Sequence, residues 1–502
     1  MKPIYLSCFL LVGLGSSSYA QLPVDSVLDL NQIEDQIQDQ VQDQVQDQII
    51  NSGVIENQLL DSQILESQVL DSQMLDDQIL GGDLLDSSAL GAEVLDQDLI
   101  SGTLGDLDEA GQRVRAALEP VVDTIPLDAL AKTLPILTRS GETAFVDVEV
   151  ENGWRAVEHE WLIMLDKTQV KLLQPLQADI IEQTDFAELD MVLVRFRVPA
   201  QWDSAAAIKQ RLPRHLHEQL DRNHIYDAQA EIPAASAATS ASFTAVCDAP
   251  VKVGMIDTAI NTKHPAFAPE RIITRDFLGE KFDAPRAHGT AVAGLLVGSG
   301  AALQPLLPKA QLYAASVFYP RNQYSQGATM MDLVRALNWL AGEKVSVINM
   351  SLAGPDNHIL RSVISRITEQ GMVVIAAAGN EGPAAPPMYP AAYAEVIAVT
   401  AVDRAQKIYR WANRGDYIDF AALGVSVTTA RSDGGFGRET GTSMAAPVIS
   451  AFAACEQVMR NEKSAALIES LARKVTDLGA PGRDPIFGFG LLDATQAVKA
   501  KQ

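Results

Sequence analysis

Four short apolar runs recur along the C-terminal half of the chain, at 251–256, 311–318, 345–350 and 372–378. Uninterrupted apolar runs of this length are typical of parallel strands buried on both faces. Between them, 289–298, 328–342 and 359–370 have the length and periodicity of helices. Strand and helix in alternation predict a doubly wound α/β domain with a parallel sheet. In such sheets, functional groups gather beyond the carboxyl ends of the strands.

A different pattern occupies 141–230 and predicts a small α+β unit. Residues 161–165 read as a strand. From Met191 to Val198 the chain alternates, with Val192, Val194, Phe196 and Val198 on one face and Arg195 and Arg197 on the other. Val170, Leu172, Leu173, Leu176, Ile180 and Ile181 suggest helical packing between these strands, interrupted by Pro175. Residues 204–212 suggest a second helix stopped by Pro213, and 224–226 a last short strand. Residues 231–246, rich in Ala, Ser and Thr, read as a linker.

Residues 21–110 form an acidic Gln/Leu-rich repeat of low complexity. Ile33, Ile37, Val41, Val45 and Ile49 are spaced by four, and from Glu56 the units become pentapeptides such as ENQLL, DSQIL and ESQVL. A five-residue step turns about 140° per repeat around an α-helix and smears its apolar pairs. The segment reads either as a solvated acidic stalk or as a helical or solenoid assembly module. Residues 21–100 hold 18 Asp/Glu and no Lys or Arg, against a formal net charge of −25 for the whole chain. Binding to nucleic acid needs clustered positive charge, and the sequence offers none.

Residues 1–20 read as a secretory signal: Lys2, an apolar run from Ile4 to Gly15, then Ser18-Tyr19-Ala20 as a cleavage site. An uncleaved anchor is the alternative. No later run reaches the ~18 apolar residues of an integral membrane segment. Export leaves Cys247 and Cys455. In an oxidising compartment they form one bridge or stay as two unpaired thiols.

His217-Glu218 opens like the HExxH zinc motif, but the fifth position is Asp221, so the two-histidine helical face is missing and no metal site is expected. A stronger constellation lies in the α/β region. Asp257 ends VKVGMID, His288 opens HGTAVAG, Asn380 closes MVVIAAAGN, and Ser443 lies in GTSMAAP at the start of a helix. Singly, the Asp reads as a turn residue, the His is uninformative, the Asn is a turn former and the Ser an N-cap. Jointly they supply an acid, a base, an amide and a nucleophile.

HGTAVAG and GTSMAAP, with AAAGNEG and INMSLAGP, make residues 247–497 resemble the subtilisin-like serine peptidases (subtilases). The resemblance implies a subtilisin-like fold, with Asp257, His288 and Ser443 as the catalytic triad and Asn380 as oxyanion donor. It also implies that Ser351, Leu352, Ala353 and Gly354 pair with the substrate backbone. Ala377, Ala378 and Gly379 would line the first specificity pocket, with an uncharged side chain favoured at the cleaved position. Ala259 and Ala353 stand where the family usually has Gly, each adding one methyl near the cleft. No cofactor is required; calcium stays open, with no identifiable site, since 298–308 holds no Asp, Glu or Asn. The unit 141–230 has the size and place of the family's inhibitory propeptide. Tyr226 would lie near the cleft as a product-like tail. Asp257 and Ser443 both mark the cleft end of their elements. Cys247, ten residues before one, and Cys455, twelve after the other, then both fall on the far side, where they could meet.

The function expected is a secreted, periplasmic or cell-surface serine endopeptidase made as a zymogen. It would act on protein or peptide substrates and be held by its own propeptide domain. The alternatives are an inactive peptide-binding relative and an assembly or surface protein built on the acidic repeat.

Overall fold

The computed structural model describes residues 132–165, 167–228, 243–300, 303–321, 325–460 and 464–495. The signal at 1–20, the acidic repeat at 21–110 and residues 231–242 of the expected linker lie outside them.

The described chain opens with antiparallel strands β1 (Thr133–Leu137), β2 (Thr143–Glu149), β3 (Arg155–Met164), β4 (Asp179–Phe186), β5 (Met191–Arg197) and β6 (Leu220–Ala228). A short helix, α1 (Ala205–Lys209), precedes β6 and is capped by Ser204, whose side chain accepts from Ala207 N–H. The strand β3 is the hub, pairing with β2, β5 and β6. It serves three partners because its register breaks between Ala156 and Trp161, where His159 takes a positive φ of 60°. Such a break bends a strand and re-aims its two halves.

The remaining elements are β7 (Lys252–Asp257), β8 (Ile272–Asp276), α2 (Ala287–Val297), β9 (Gln311–Ser316), β10 (Tyr319–Pro320), β11 (Gln326–Thr329), α3 (Met330–Gly342), β12 (Val347–Met350), β13 (Leu352–Ala353), α4 (His358–Glu369), β14 (Val373–Ala377), β15 (Val396–Val402), β16 (Ile418–Leu423), β17 (Val427–Ala430), β18 (Phe436–Glu439), α5 (Thr442–Arg460) and α6 (Ser464–Ala472). Seven strands form one parallel sheet in the order β16-β15-β14-β12-β7-β9-β8. The core strands β12, β14 and β15 are buried at every position, as double-sided covering demands. The helices α2 and α5 pack on one face, and α3 and α4 on the other. In α4 the apolar set Ile359, Leu360, Val363, Ile364 and Ile367 makes the single stripe of a surface helix, and Asn357 caps it. Among the described residues, no helix is long and apolar enough to cross a membrane.

The outer surface of α3 and α4 is itself covered. Leu162, Leu193, Met191 and Tyr226 of the antiparallel unit share one core with these helices. This explains why Leu193, on the opposite face from Val194 and Phe196, is fully buried. The far face of that sheet holds a smaller core of its own, with Trp161, Ile163, Val194, Phe196 and Ile208. Polar contacts tie the same surfaces together. Asp221 accepts from His358 N–H at 2.9 Å and Asn223 from Met331 N–H at 3.1 Å, satisfying donors in the first turns of α4 and α3. Arg335 of α3 pairs with Glu182 at 2.6 Å.

Several expected boundaries shift. The antiparallel unit begins at Thr133 rather than 141, because β1 is hydrogen-bonded along β2. The helical packing expected from Val170 to Ile181 is instead a 3₁₀ segment, Lys167–Leu176, followed by β4. Pro175 removes a helical donor, and Gln177, at a φ of 50°, turns the chain into the strand. Residues 243–246 are not linker. Phe243 is buried, Thr244 N–H bonds Ala494 O at 2.8 Å, and Val246 N–H bonds Leu306 O at 2.9 Å. The α/β domain therefore reaches back at least to Phe243, ahead of 247. Its strands β8, β15 and β16 and the hairpins β10–β11 and β17–β18 were absent from the sequence reading.

Candidate active site

Asp257, the last residue of β7, is fully buried, and so sits where the parallel sheet offers its carboxyl end. One carboxylate oxygen, Oδ1, accepts from Thr258 N–H at 2.7 Å and lies 2.7 Å from His288 Nδ1. His288 is in the first turn of α2. That turn packs so close to the 258–259 backbone that a Cβ on Gly289 would lie 2.8 Å from Ala259 O, so the residue after the histidine must be glycine. Gly289 N–H also donates to Thr258 Oγ1 at 2.8 Å, fixing the helix start relative to Asp257.

Ser443 lies in the first turn of α5, which packs directly on α2. Its hydroxyl is buried and has no hydrogen-bond partner among the described residues. Asn380 follows β14, and its Oδ1 accepts from both the N–H and the hydroxyl of Thr442, each at 3.0 Å. That double anchor commits Oδ1 and directs the amide donor, Nδ2, away from Thr442. A Cβ placed on Gly441 would be 3.0 Å from Ser443 Oγ and 3.2 Å from Asn380 Nδ2, so hydroxyl and amide converge on one small space that glycine leaves open. Thr442 was not singled out from the sequence. Its signal was its place beside Ser443 in GTSMAAP.

The expected substrate strand, Ser351–Gly354, lies along the end of β6. Leu352 and Ala353 form β13 and pair with Ala228 and Asp227 of β6. Gly354 does not continue the ladder. Its N–H and C=O are both spent on Tyr389, at 3.0 Å each. Glycine is needed there because the Tyr226 ring lies against it, 2.8 Å from a built Cβ at Cγ. The Ser351 hydroxyl accepts from Asn349 Nδ2 at 3.0 Å and donates to Ser443 O at 3.3 Å, a bracing role. Ala377 and Ala378 are fully buried at the end of β14, and Gly379, at a φ of 115°, donates its N–H to Thr442 Oγ1 at 3.3 Å.

On its other edge β6 pairs with β11, Tyr226 opposite Ala328 and Asp227 opposite Gly327. The end of β6 is thus an extended segment held between β11 and β13, as in strand addition. Tyr226 is fully buried and its hydroxyl donates to Pro355 O at 2.7 Å. Cys247 and Cys455 are joined by a disulfide with Cα atoms 6.0 Å apart.

A buried carboxylate–imidazole pair at the start of α2, and a serine converging with an amide at the start of α5, stand on two packed helices of a doubly wound sheet. The model of the subtilase family matches residues 248–490, and the chain belongs to that family. It is 33% identical to a subtilisin of Bacillus pumilus over 41% of this chain and 75% of that protein. The major intracellular serine protease of Bacillus subtilis is 34% identical, over 40% of this chain and 66% of the relative. The minor extracellular protease Epr of the same species is 30% identical, over 48% of this chain and 37% of the relative.

Proposed function

We propose that this chain is a secreted serine endopeptidase made with an inhibitory propeptide that includes residues 133–228. The observation that carries the reading is the 2.7 Å Asp257–His288 contact at the start of α2, together with the Ser443 hydroxyl and Asn380 amide that converge at the start of α5, the helix packed on it. A serine hydroxyl attacks a carbonyl only when a base removes its proton. With Nδ1 donating to Asp257, the lone pair of His288 stands on Nε2. His288 takes the Ser443 proton there and then delivers it to the leaving amine, while Asp257 holds the tautomer and stabilises the imidazolium. The oxyanion that forms is met by Asn380 Nδ2 and Ser443 N–H, at the positive end of α5. Water then repeats the sequence on the acyl-enzyme. Export is supported by the leader reading of residues 1–20, by the Cys247–Cys455 bond and by the extracellular relative. A serine-directed fluorophosphonate should label the secreted protein on the peptide that contains Ser443. Labelling elsewhere, or none in protein that cleaves casein, would refute the assignment.

The ladder predicts where the propeptide is cut. Its last pair sets Ala228 opposite Leu352. One step further lies Ser351, whose hydroxyl reaches the Ser443 carbonyl. The first cleavage should therefore fall between residues 229 and 230. Intact mass of the released fragment checks this, and a C-terminus more than two residues away contradicts the register.

Propeptide release should also depend on pH. His224 lies in the covered face, with its Nδ1 2.9 Å from Asn357 Nδ2, a donor that requires an unprotonated ring nitrogen. Burial pushes the imidazole below its ordinary 6.5, Asp221 opposing and Arg222 assisting, with Glu151 and Asp356 also opposing. Docking thus excludes a proton. The contribution of His224 is complete above pH 6.5 and is lost progressively as pH falls from there through the lowered value. Self-processed complex held at about pH 5.5 should release more activity than complex held at about pH 7.5, both assayed afterwards at one pH. His224→Gln, which keeps an acceptor but does not titrate, should flatten the difference.

A further inference from the structure

Arg321 follows β10, and its N–H donates to Ser325 O at 2.8 Å, so its backbone is pinned by the hairpin. Its side chain is 4% exposed. The Nε atom donates to Asp147 Oδ2 at 2.8 Å, and Nη1 donates to Asp227 Oδ1. The other oxygen of Asp147 is taken by Arg155 Nε at 2.7 Å. Two arginines thus share two carboxylates, but not symmetrically. Asp147, Arg155 and Asp227 all belong to the segment 133–228, and only Arg321 belongs to the α/β domain. Burial alone would lower the Arg321 pKa; Asp227 and Asp147 outweigh it and raise it.

Asp227 occupies a defined place in the cleft. Its backbone pairs with Gly327 on one side and Ala353 on the other. Any extended substrate in the same register sets one side chain where the Asp227 side chain now lies. When the propeptide leaves, Asp147 leaves with it, and the guanidinium keeps its charge without a counter-ion. Its Nη2, buried and without a hydrogen-bond partner among the described residues, is a further donor for a carboxylate. A planar guanidinium can engage both oxygens of one carboxylate, which an amide or an alkyl group does not reproduce.

We propose that Arg321 is a specificity-determining residue that makes the mature peptidase prefer Asp or Glu at the third position before the cleaved bond. The proposal rests on the peptidase reading and on the register set by β6. Once the propeptide has gone, the pair is partly solvated, which limits its worth to the range of exposed ion pairs.

The test uses self-processed enzyme and two amide substrates, Tyr-Asp-Ala-Gln and Tyr-Asn-Ala-Gln, each ending in a chromogenic amine. The acidic substrate should have the higher kcat/KM, by about three- to tenfold at low salt. The ratio should shrink in about 0.5 M salt. In Arg321→Gln the ratio should fall to about one, and in Arg321→Glu a lysine at that position should become preferred over aspartate. Should neither variant yield enzyme, the wild-type ratio and its salt dependence decide alone. Hydrolysis of both substrates with a ratio of one or less overturns the role of Arg321 while leaving the peptidase reading intact. Absence of hydrolysis together with absence of fluorophosphonate labelling overturns the peptidase reading, and the proposal with it.

Discussion

Replacing Ser443 by alanine should abolish peptide hydrolysis and leave the propeptide joined to the catalytic domain in one chain. In the proposed mechanism the substitution removes the atom that forms the acyl bond, so the loss should approach the full rate enhancement attributable to covalent catalysis. Folding should survive. The hydroxyl makes no hydrogen bond to the described residues, so its removal leaves no buried donor or acceptor orphaned. Intact mass should show an unprocessed chain, and circular dichroism a melting transition close to that of the wild type. A processed Ser443→Ala chain, in a host that lacks other extracellular proteases, would assign the nucleophile elsewhere.

Asn380→Ala should lower kcat by about 10²–10³ with little change in KM. The magnitude is the one known for the corresponding donor of subtilisin, carried over by family membership rather than derived from these distances. The reasoning behind its direction is local. Thr442 consumes both available interactions of Oδ1, so Asn380 is held ready before any substrate arrives. Its Nδ2 meets full negative charge only once the carbonyl has been attacked, which is why the loss falls on kcat. A loss confined to KM would make Asn380 a substrate-binding residue instead. Since alanine also removes the acceptor for Thr442, Thr442→Val serves as a control for displacement of α5.

The candidate site was legible because each of its members sits at a forced position. Asp257 and Asn380 end or follow buried apolar runs, and His288 and Ser443 open helices, so short signatures carry both identity and place. The wide apolar runs of β7, β9, β12 and β14 were legible for the same reason. Edge elements were not. In β8 only Ile272 is buried and the other four residues are exposed, so no apolar pattern marks it. The strand β4 follows a proline-broken segment whose leucines imitate a helix stripe. The strand β15, VIAVTAV, carried a clear buried-strand signal that went unused. Arg321 had no local signal at all, since its partners lie 94 and 174 residues away. The end of strand β13 was hidden too, because the pairing of Gly354 with Tyr389 depends on a loop more than thirty residues downstream.

The bond between Cys247 and Cys455 spans 208 residues, and Asp257, His288, Asn380 and Ser443 all fall between its ends. A peptidase in concentrated secretion nicks its neighbours at exposed turns, and for most chains the first nick frees a fragment. Here a nick at the exposed turn around Asp433 would separate the acid and base from the nucleophile in sequence, yet the two pieces would remain one covalent molecule. Tied by the bridge and packed across the parallel sheet, they would stay in register. The bridge would therefore act as a tether between the two pieces of a chain nicked between its ends.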